Sequence, residues 1–446
     1  MSFDTLLTRS ESWLPVSPDS HFGLDNIPFG IISTRSDRTP RPAVAIGAKA
    51  LDLAVFAANG GFSSLPQFTE TTVFTTETSL NAFAALGRKK HTAVRYYLQE
   101  VLEINTQYPQ KLKTNVALQS ICLHDLTDVR MHLPLQIGNY TDFYAGKNHA
   151  YNVGVLFRGP ENALQPNYEH MPIGYHGRAS SVVVSGTTIR RPRGQILEDP
   201  KAAVRKSIFT ATKQLDYELE LAVFVARNTK IGESVDVNEA AEFLFGVVLM
   251  NDWSARDIQG WEYVPLGPFT SKSFATSISP WVVLIEALEP FRAIPLPRTT
   301  DIPLHPYLQE REQYNVYNID LSISLSTPCG ATHTLSKTSS SNLLYSFPQL
   351  LAHHSITGCP LRTGDLLGTG TISGTDAESL GSLLEVTKNG TSSLVLQDDG
   401  ERVFLEDGDE VIMEGYCGRG VGFGSVSGLV LPAWTDTDTG RVAKVS

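Results

Sequence analysis

Cysteine is scarce in this chain of 446 residues, which has only Cys122, Cys329, Cys359 and Cys417. The four lie far apart and form no C-x-x-C pair, so the sequence lacks the spacing of a zinc ribbon or a thioredoxin motif. A few widely separated cysteines in a chain of this size are typical of reduced, intracellular thiols and not of a disulfide scaffold. The first seven residues, MSFDTLL, include acidic and polar residues where a secretory signal needs an apolar run after basic residues. We therefore expect a cytoplasmic protein.

Long apolar runs and basic blocks are also missing. The most apolar stretches, 247–250 and 281–285, are far shorter than the ~18 residues of a membrane-spanning helix. Acidic residues outnumber basic ones by 47 to 36, which gives a net charge of −11. A surface that follows a phosphate backbone needs the opposite balance. Neither a membrane nor a nucleic acid is an expected partner.

Several common catalytic signatures are absent as well. The sequence has no G-x-S-x-G elbow, no H-E-x-x-H zinc helix and no P-loop. A glycine-rich run at 415–424 is followed by the strand-like residues 428–431 and not by a helix, so it predicts turns and close strand packing instead of a dinucleotide loop.

What the chain does have is enough apolar sequence for a large core, with 41% hydrophobic residues. The first 130 or so residues combine short β-like pieces with apolar residues at helical spacing. These are Leu80, Phe83, Leu86, Val94, Tyr97, Leu98, Val101 and Leu102. A change of pattern at Pro134 predicts two domains, 1–133 and 134–446.

The second domain is predicted to be mostly β. Short runs rich in Val, Ile and Leu, such as 219–225 and 319–325, alternate with turn residues. Helices are expected at 238–246 and 342–354. Asn389-Gly390, between 383–386 and 394–396, is a hairpin signal.

Paired carboxylates occur in the segment DYELE at 216–220. In a strand, Glu218 and Glu220 point to the same face, and the apolar run 221–225 follows directly. Two like charges that are partly buried are costly unless a cation neutralises them. An edge strand with a charged, solvated face remains the alternative.

A second acidic position, Asp252, ends the apolar run 247–250. Arg256, Gln259 and Tyr263 follow at i+4, i+7 and i+11, so a short helix would place them on a common side. Lys272 lies nearby in sequence among small and apolar residues. The alternative is an Asp252 to Arg256 ion pair on a surface helix.

A loop-rich region at 142–178 contains Asp142, His149, Arg158 and Arg178. Histidine is the natural general base near neutral pH. Because a lone histidine is more often structural, these residues do not decide the chemistry by themselves.

Long motifs resemble the fumarylacetoacetase family over nearly the whole chain. They are IPFGI at 27–31, YTDFY at 140–144, PIGYHGRASSV at 172–182, MNDWSARDIQ at 250–259, WEYVPLGP at 261–268, HH at 353–354, RTGD at 362–365 and GTISG at 370–374. The resemblance implies a mainly β fold with some α: a small SH3-like barrel as the N-terminal domain and a large mixed β-sandwich roll. It also implies a homodimer formed through the C-terminal domain.

The same resemblance implies roles for the candidate residues. The cation ligands, for Ca²⁺ or Mg²⁺, would be Asp142, Glu218, Glu220, Asp252, Lys272 and Thr276. The catalytic groups would be His149 as the base, steered by Glu385, with Arg256, Gln259 and Lys272 facing the developing negative charge. The substrate contacts would be Tyr144, Arg158, Tyr175, Gln259, Tyr263 and Thr371. One departure is Ala275, which stands where the family's KSFGT motif has glycine.

The implied activity is cleavage of a carbon–carbon bond in the diketo-diacid fumarylacetoacetate by water. Fumarate and acetoacetate would be the products, in the last step of tyrosine and phenylalanine breakdown. Two alternatives remain: a related hydrolase or decarboxylase acting on another diketone or oxo-acid, and a non-catalytic binding protein on the same fold.

Overall fold

Short strands dominate the part of the chain that the structure describes. This computed structural model covers residues 11–396 and 400–435. The opening segment, on which the expectation about secretion depends, lies outside those ranges. Among the helices in the described ranges, none combines the length and the apolar character that crossing a bilayer requires.

The described residues before 134 form a five-stranded antiparallel sheet with helices packed against it, as expected for a small barrel-like unit. The strands are β1 (Phe29–Thr34), β2 (Arg41–Ile46), β3 (Lys49–Asp52), β4 (Leu123–Asp125) and β5 (Val129–His132), in the order β4-β3-β2-β1-β5. The helices are α1 (Leu53–Ala58), α2 (Thr72–Thr75), α3 (Asn81–Ala84), α4 (Arg88–Leu102) and α5 (Val116–Cys122). The helical spacing after residue 90 is confirmed by α4, which buries its predicted apolar residues.

The described residues after 134 are richer in strand. The strands are β6 (Tyr140–Phe143), β7 (Gly174–Gly177), β8 (Val182–Val184), β9 (Ile189–Arg190), β10 (Arg193–Leu197), β11 (Ser207–Ala211), β12 (Leu215–Asp216), β13 (Leu219–Val225), β14 (Leu244–Asp252), β15 (Ser254–Ala255), β16 (Thr276–Ile278), β17 (Val283–Leu284), β18 (Arg292–Ala293), β19 (Val316–Tyr317), β20 (Asp320–Ser326), β21 (Thr332–Ser339), β22 (Leu366–Gly368), β23 (Leu394–Leu396), β24 (Gly400–Arg402), β25 (Glu410–Gly418) and β26 (Val421–Leu431). The helices are α6 (Lys147–Arg158), α7 (Arg256–Glu262), α8 (Ile285–Leu288), α9 (Phe347–Ser355) and α10 (Leu383–Val386).

Two large sheets organise this second part. One is mixed, with the path β7-β6-β22-β13-β14-β16-β8 and β17 paired to β14. The other has the order β21-β20-β25-β26-β9. A large apolar cluster with members from both sheets forms the core. The expected mixed β-sandwich roll is therefore the observed fold.

The central strands β13 and β14 are buried on both faces. Along β14, Val247 and Leu249 belong to the large C-terminal cluster. The alternate residues Val248 and Met250 pack into a second cluster shared with the N-terminal sheet. Because successive side chains of a strand point to opposite faces, one strand serves two cores. This double burial explains the uninterrupted apolar run.

Some local predictions were wrong. Residues 240–243 form only a 3₁₀ turn, and the predicted helix at 238–246 gives way to β14 because its apolar residues continue into the central strand. The predicted helix at 342–354 begins later, at Phe347, where Ser346 supplies a capping box. Asn389 and Gly390 do adopt the left-handed backbone of a turn, but the preceding residues form α10 and not a strand.

His91 provides a pH-dependent contact between the two parts of the chain. Its ring packs against Phe83 and against Phe245 of β14, and burial lowers its pKa from 6.5 to about 4. Between pH 6.5 and 4 the unfolded chain therefore binds a proton that the folded chain excludes. The contribution of the buried His91 ring to the free energy of unfolding is complete above pH 6.5 and is lost as the pH falls towards 4. We expect His91→Asn to flatten the pH dependence of the melting temperature in that range, as measured by thermal denaturation. An unchanged slope would contradict this account.

Candidate active site

An acidic cluster lies near the ends of β6, β13 and β14 in the mixed sheet, where β22 separates β6 from β13. In the pairing of β13 with β14, Glu220 lies opposite Met250, and the backbone N–H of Asp252 donates to the carbonyl of Glu218 at 3.1 Å. Asp142 joins them from β6, opposite Gly368 of β22. The even-numbered positions share one face, so the register brings the carboxylates together.

The cluster requires a glycine beside it. A Cβ atom at Gly368 would lie 2.6 Å from the Asp142 carboxylate and 2.5 Å from the Met250 side chain. A larger residue would therefore force the Asp142 carboxylate or the Met250 side chain to move.

Three oxygens in the cluster have no partner in the described residues. They belong to Asp142, Glu220 and Asp252, which are all buried, and one ligand oxygen from each lies within 4.8 Å of the others. Burial and mutual repulsion raise the pKa of Asp142 and of Glu220 well above their usual values. Unpaired, closely spaced carboxylate oxygens suit a hard divalent cation that takes oxygen ligands. The residues present therefore fit the expected cation.

Glu218 has a different environment, because two cations already contact it. Lys272 Nζ bonds to one of its oxygens, and Arg256 Nη1 lies 2.8 Å from the other. Burial opposes its ionisation, but these cations together lower the pKa of Glu218 well below its usual value. Lys272 Nζ also contacts Asp252 at 2.5 Å, so one ammonium bridges two of the four acids.

Arg256 does not form the surface ion pair with Asp252 that local spacing allowed. It is buried at the start of α7, and its guanidinium pairs with Asp216 and Glu218. Its Nη1 also donates to Gln259 Oε1 at 3.2 Å, since i and i+3 share a helix face. The expected common side for Arg256 and Gln259 is therefore observed.

A histidine–glutamate pair lies beside the acids. His149 Nδ1 is 2.7 Å from Glu385 Oε2, and its Nε2 is 3.9 Å from Glu218 Oε1. Both partners are buried, and although burial alone would raise the pKa of Glu385, His149 lowers it below its usual value. The geometry holds the imidazole with Nε2 facing the acids.

Sequence reasoning missed the groups that hold Glu385 in place. Asn152 donates to Oε1 at 2.8 Å, while Ser373 and Ser382 donate to Oε2 at 2.9 Å each. Asn152 lies three residues after His149, so helical spacing could have suggested it. Ser382 begins the S-x-x-E pattern of a helix N-cap that ends at Glu385, so it also could have been suggested, whereas no local pattern indicates Ser373.

One cavity of about 420 Å³ connects these groups. Its lining includes Asp142, Tyr144, His149, Arg158, Tyr175, Glu218, Glu220, Arg256, Gln259, Tyr263, Lys272 and Thr371. The structure thus brings most of the predicted site residues to a single surface. Asp252 and Glu385 lie behind this lining, in contact with residues that form it.

Three predicted positions have distinctive places. The Tyr175 hydroxyl donates to Asp252 Oδ2 at 3.0 Å, so it belongs to the acidic end and not to a remote end of the cavity. Thr276 is buried opposite Asp252 in the pairing of β14 with β16. Ala275 packs into the large apolar cluster, where its methyl group is accommodated.

The fold and this cavity define a protein with an enzyme-type site. In that site, the His149–Glu385 pair adjoins a buried cluster of carboxylate oxygens that fits a cation. Family models agree with that class: the fumarylacetoacetate (FAA) hydrolase C-terminal model matches residues 139–430, and the fumarylacetoacetase N-terminal model matches residues 25–134. The chain belongs to the fumarylacetoacetate hydrolase family.

Curated relatives extend the match to nearly full length. The chain is 56% identical to a fumarylacetoacetase of Aspergillus fumigatus over 425 residues, which are 95% of this chain and 98% of the relative. It is 46% identical to the fumarylacetoacetase of Homo sapiens over 426 residues, 95% of this chain and 99% of the relative. A solved structure of a putative HpcE protein from Mycobacterium smegmatis matches with a TM-score of 0.50 at 18% identity, covering 91% of this chain and 99% of that one, and supports the fold alone.

Proposed function

We propose that this chain hydrolyses the carbon–carbon bond between the two halves of fumarylacetoacetate, releasing fumarate and acetoacetate. The observation that carries the proposal is the His149–Glu385 pair facing the acidic cluster in a single cavity with Arg158. The identity to fumarylacetoacetases along 95% of the chain supports the same substrate. This reaction places the protein in tyrosine and phenylalanine breakdown.

Asp142, Glu220 and Asp252 are the residues proposed to hold a divalent cation, with Glu218 and Thr276 beside them. Calcium or magnesium, when bound, would polarise the attacked carbonyl and hold the diketone in an enolate-compatible pose. Lys272, whose ammonium has no lone pair to offer, contributes by balancing the charge of Glu218 and Asp252.

His149 is proposed as the general base. Its Nδ1–H donates to Glu385, which leaves Nε2 able to accept a proton from a water molecule in the cavity. Glu385 fixes this tautomer and stabilises the imidazolium that forms. Asn152, Ser373 and Ser382 keep the carboxylate in position throughout.

Arg256, Gln259 and Lys272 are proposed to face the negative charge that develops on the oxyanion and on the departing enolate. All three line the cavity, and the two cations are buried, so they are held in place before the reaction begins. Fixed donors in a site with little water each stabilise developing negative charge by roughly several kcal/mol.

Substrate selectivity tests the proposed function most directly. The substrate has a carboxylate at each end, and Arg158 offers a guanidinium in the cavity. Tyr144, Tyr263 and Thr371 are further proposed contacts. We expect kcat/KM for acylpyruvates and other singly charged diketones to be lower by about 10² or more, because a site that pairs with a second carboxylate rejects analogues that lack it. The measurement is the loss of diketone absorbance with purified protein.

The matched variant is Arg158→Met, which keeps much of the side-chain length but removes the charge. It should abolish most of the preference for the diacid while leaving the slow turnover of acylpyruvates unchanged. Equal turnover of acylpyruvate and fumarylacetoacetate by the unmodified protein would refute the proposal and favour a related hydrolase or decarboxylase.

We further propose a two-domain chain, 1–133 and 134–446, that acts in the cytoplasm as a homodimer formed through the second domain. The separate family models for 25–134 and 139–430 support the division. The dimer follows from the family resemblance. Light scattering of the purified protein would test it, since a monomeric mass contradicts it.

A further inference from the structure

One fully buried carboxylate outside the cavity has none of the roles assigned above. Asp216 lies on the short strand β12 and has no exposed surface. Its Oδ1 accepts the backbone N–H groups of Tyr217 and Leu383, each at 2.8 Å. Its Oδ2 accepts Arg256 Nε at 2.8 Å and the N–H of Leu384 at 2.9 Å. Both oxygens thus meet only donors, which is the environment that an ionised carboxylate requires.

These contacts join two groups that are far apart in sequence. Arg256 continues to Glu218 through its Nη1, at 2.8 Å. Leu383 and Leu384 begin α10, the short helix that carries Glu385. The result is a ring that runs from Asp216 to Arg256, Glu218, His149 and Glu385 and back through α10 to Asp216, with His149 Nε2 and Glu218 Oε1 3.9 Å apart as its longest link.

We propose that Asp216 is a positioning residue that fixes the distance between the Arg256 guanidinium and the His149–Glu385 pair. The inference rests on the proposed function, in which Arg256 faces negative charge while His149 accepts a proton. Both must act on one substrate within a fraction of an ångström of the correct geometry. Asp216 meets this need because a single rigid carboxylate holds both elements.

Asparagine cannot replace Asp216 without breaking one side of the ring. An amide nitrogen would face an N–H group whichever way the side chain is turned, since each carboxylate oxygen accepts from donors on both of its sides. Asp216→Asn is therefore nearly isosteric and yet should loosen either Arg256 or α10.

The kinetic test compares Asp216→Asn with a matched control, Asp409→Asn. Asp409 is also fully buried, is paired with Arg402 at 3.1 Å and accepts the N–H of Glu406 at 2.8 Å. Asp216→Asn should lower kcat by about 10- to 100-fold with KM for fumarylacetoacetate within about twofold, because Arg158 lies outside the ring. Asp409→Asn should lower the melting temperature while leaving kcat within about twofold of the parent. Equal kcat losses in the two variants would overturn the proposal.

A second readout needs no substrate. The Nδ1 proton shared by His149 and Glu385 should give a far-downfield proton resonance in the nuclear magnetic resonance spectrum, identified by its loss in His149→Ala. We expect it to persist in Asp409→Asn and to shift or broaden in Asp216→Asn. An unchanged resonance in folded Asp216→Asn would refute the positioning role. Because this result is independent of turnover, it separates failure of this inference from failure of the proposed function.

Coupling between the residues gives the final check. If Asp216 acts through α10, adding Asp216→Asn to Glu385→Gln should cost less in kcat than the product of the two single losses. Fully multiplicative losses would contradict that path. Should Asp216→Asn fail to fold, Asp216→Glu keeps the charge and displaces it by one methylene, and the same kcat loss and resonance shift are expected of it.

Discussion

Replacing His149 by alanine is expected to lower kcat by about 10² to 10⁴ while leaving the fold and substrate binding largely intact. The side chain lines the cavity, and with its Nδ1 held by Glu385 at 2.7 Å its Nε2 faces the acids, where it is proposed to take a proton from water. The loss should therefore appear in kcat and not in KM. Steady-state kinetics together with a thermal melt would measure both quantities.

Two companion variants sharpen this result. Glu385→Gln should cost less than the loss of His149, since it removes only the orientation and the imidazolium stabilisation. His132→Ala, in the N-terminal strand β5, is the control and should retain full activity. A fully active His149→Ala protein would exclude the mechanism, whereas an insoluble one would favour a structural histidine.

Period-two alternation predicted correctly that Glu218 and Glu220 share a face, but not what that face contacts. The edge-strand alternative is wrong because β13 lies between β14 and β22 in the middle of the mixed sheet. Alternation is a local property of one strand. One of the two neighbours that decide burial, β22, comes from residues more than a hundred positions further along the chain, so the strand pairing had to be observed.

The His149–Glu385 pair was similarly beyond local reasoning, since 236 residues separate its members. Only the family resemblance brought them together in advance. The failed hairpin prediction has the same origin. Residues 383–386 look like a strand, but a local cap from Ser382 and the long-range contacts of Asp216 with the N–H groups of Leu383 and Leu384 impose a helix.

The same cluster of acids predicts an unusual pattern of stability. Chelation should abolish activity and lower the melting temperature, because Asp142, Glu220 and Asp252 then repel one another; a cation at 100 times its dissociation constant is worth about 2.7 kcal/mol. In Glu220→Gln the cation should bind more weakly, and the melting temperature should depend much less on it. Without metal this variant should melt above the metal-free parent, since one of the crowded buried acids is gone while its oxygen can still accept the N–H of Gly370. Adding metal should raise the melting temperature of this variant only slightly. Asp409→Asn is the control and should respond to chelation like the parent. The cation site would be refuted if the metal-free parent protein were as stable and as active as the loaded form.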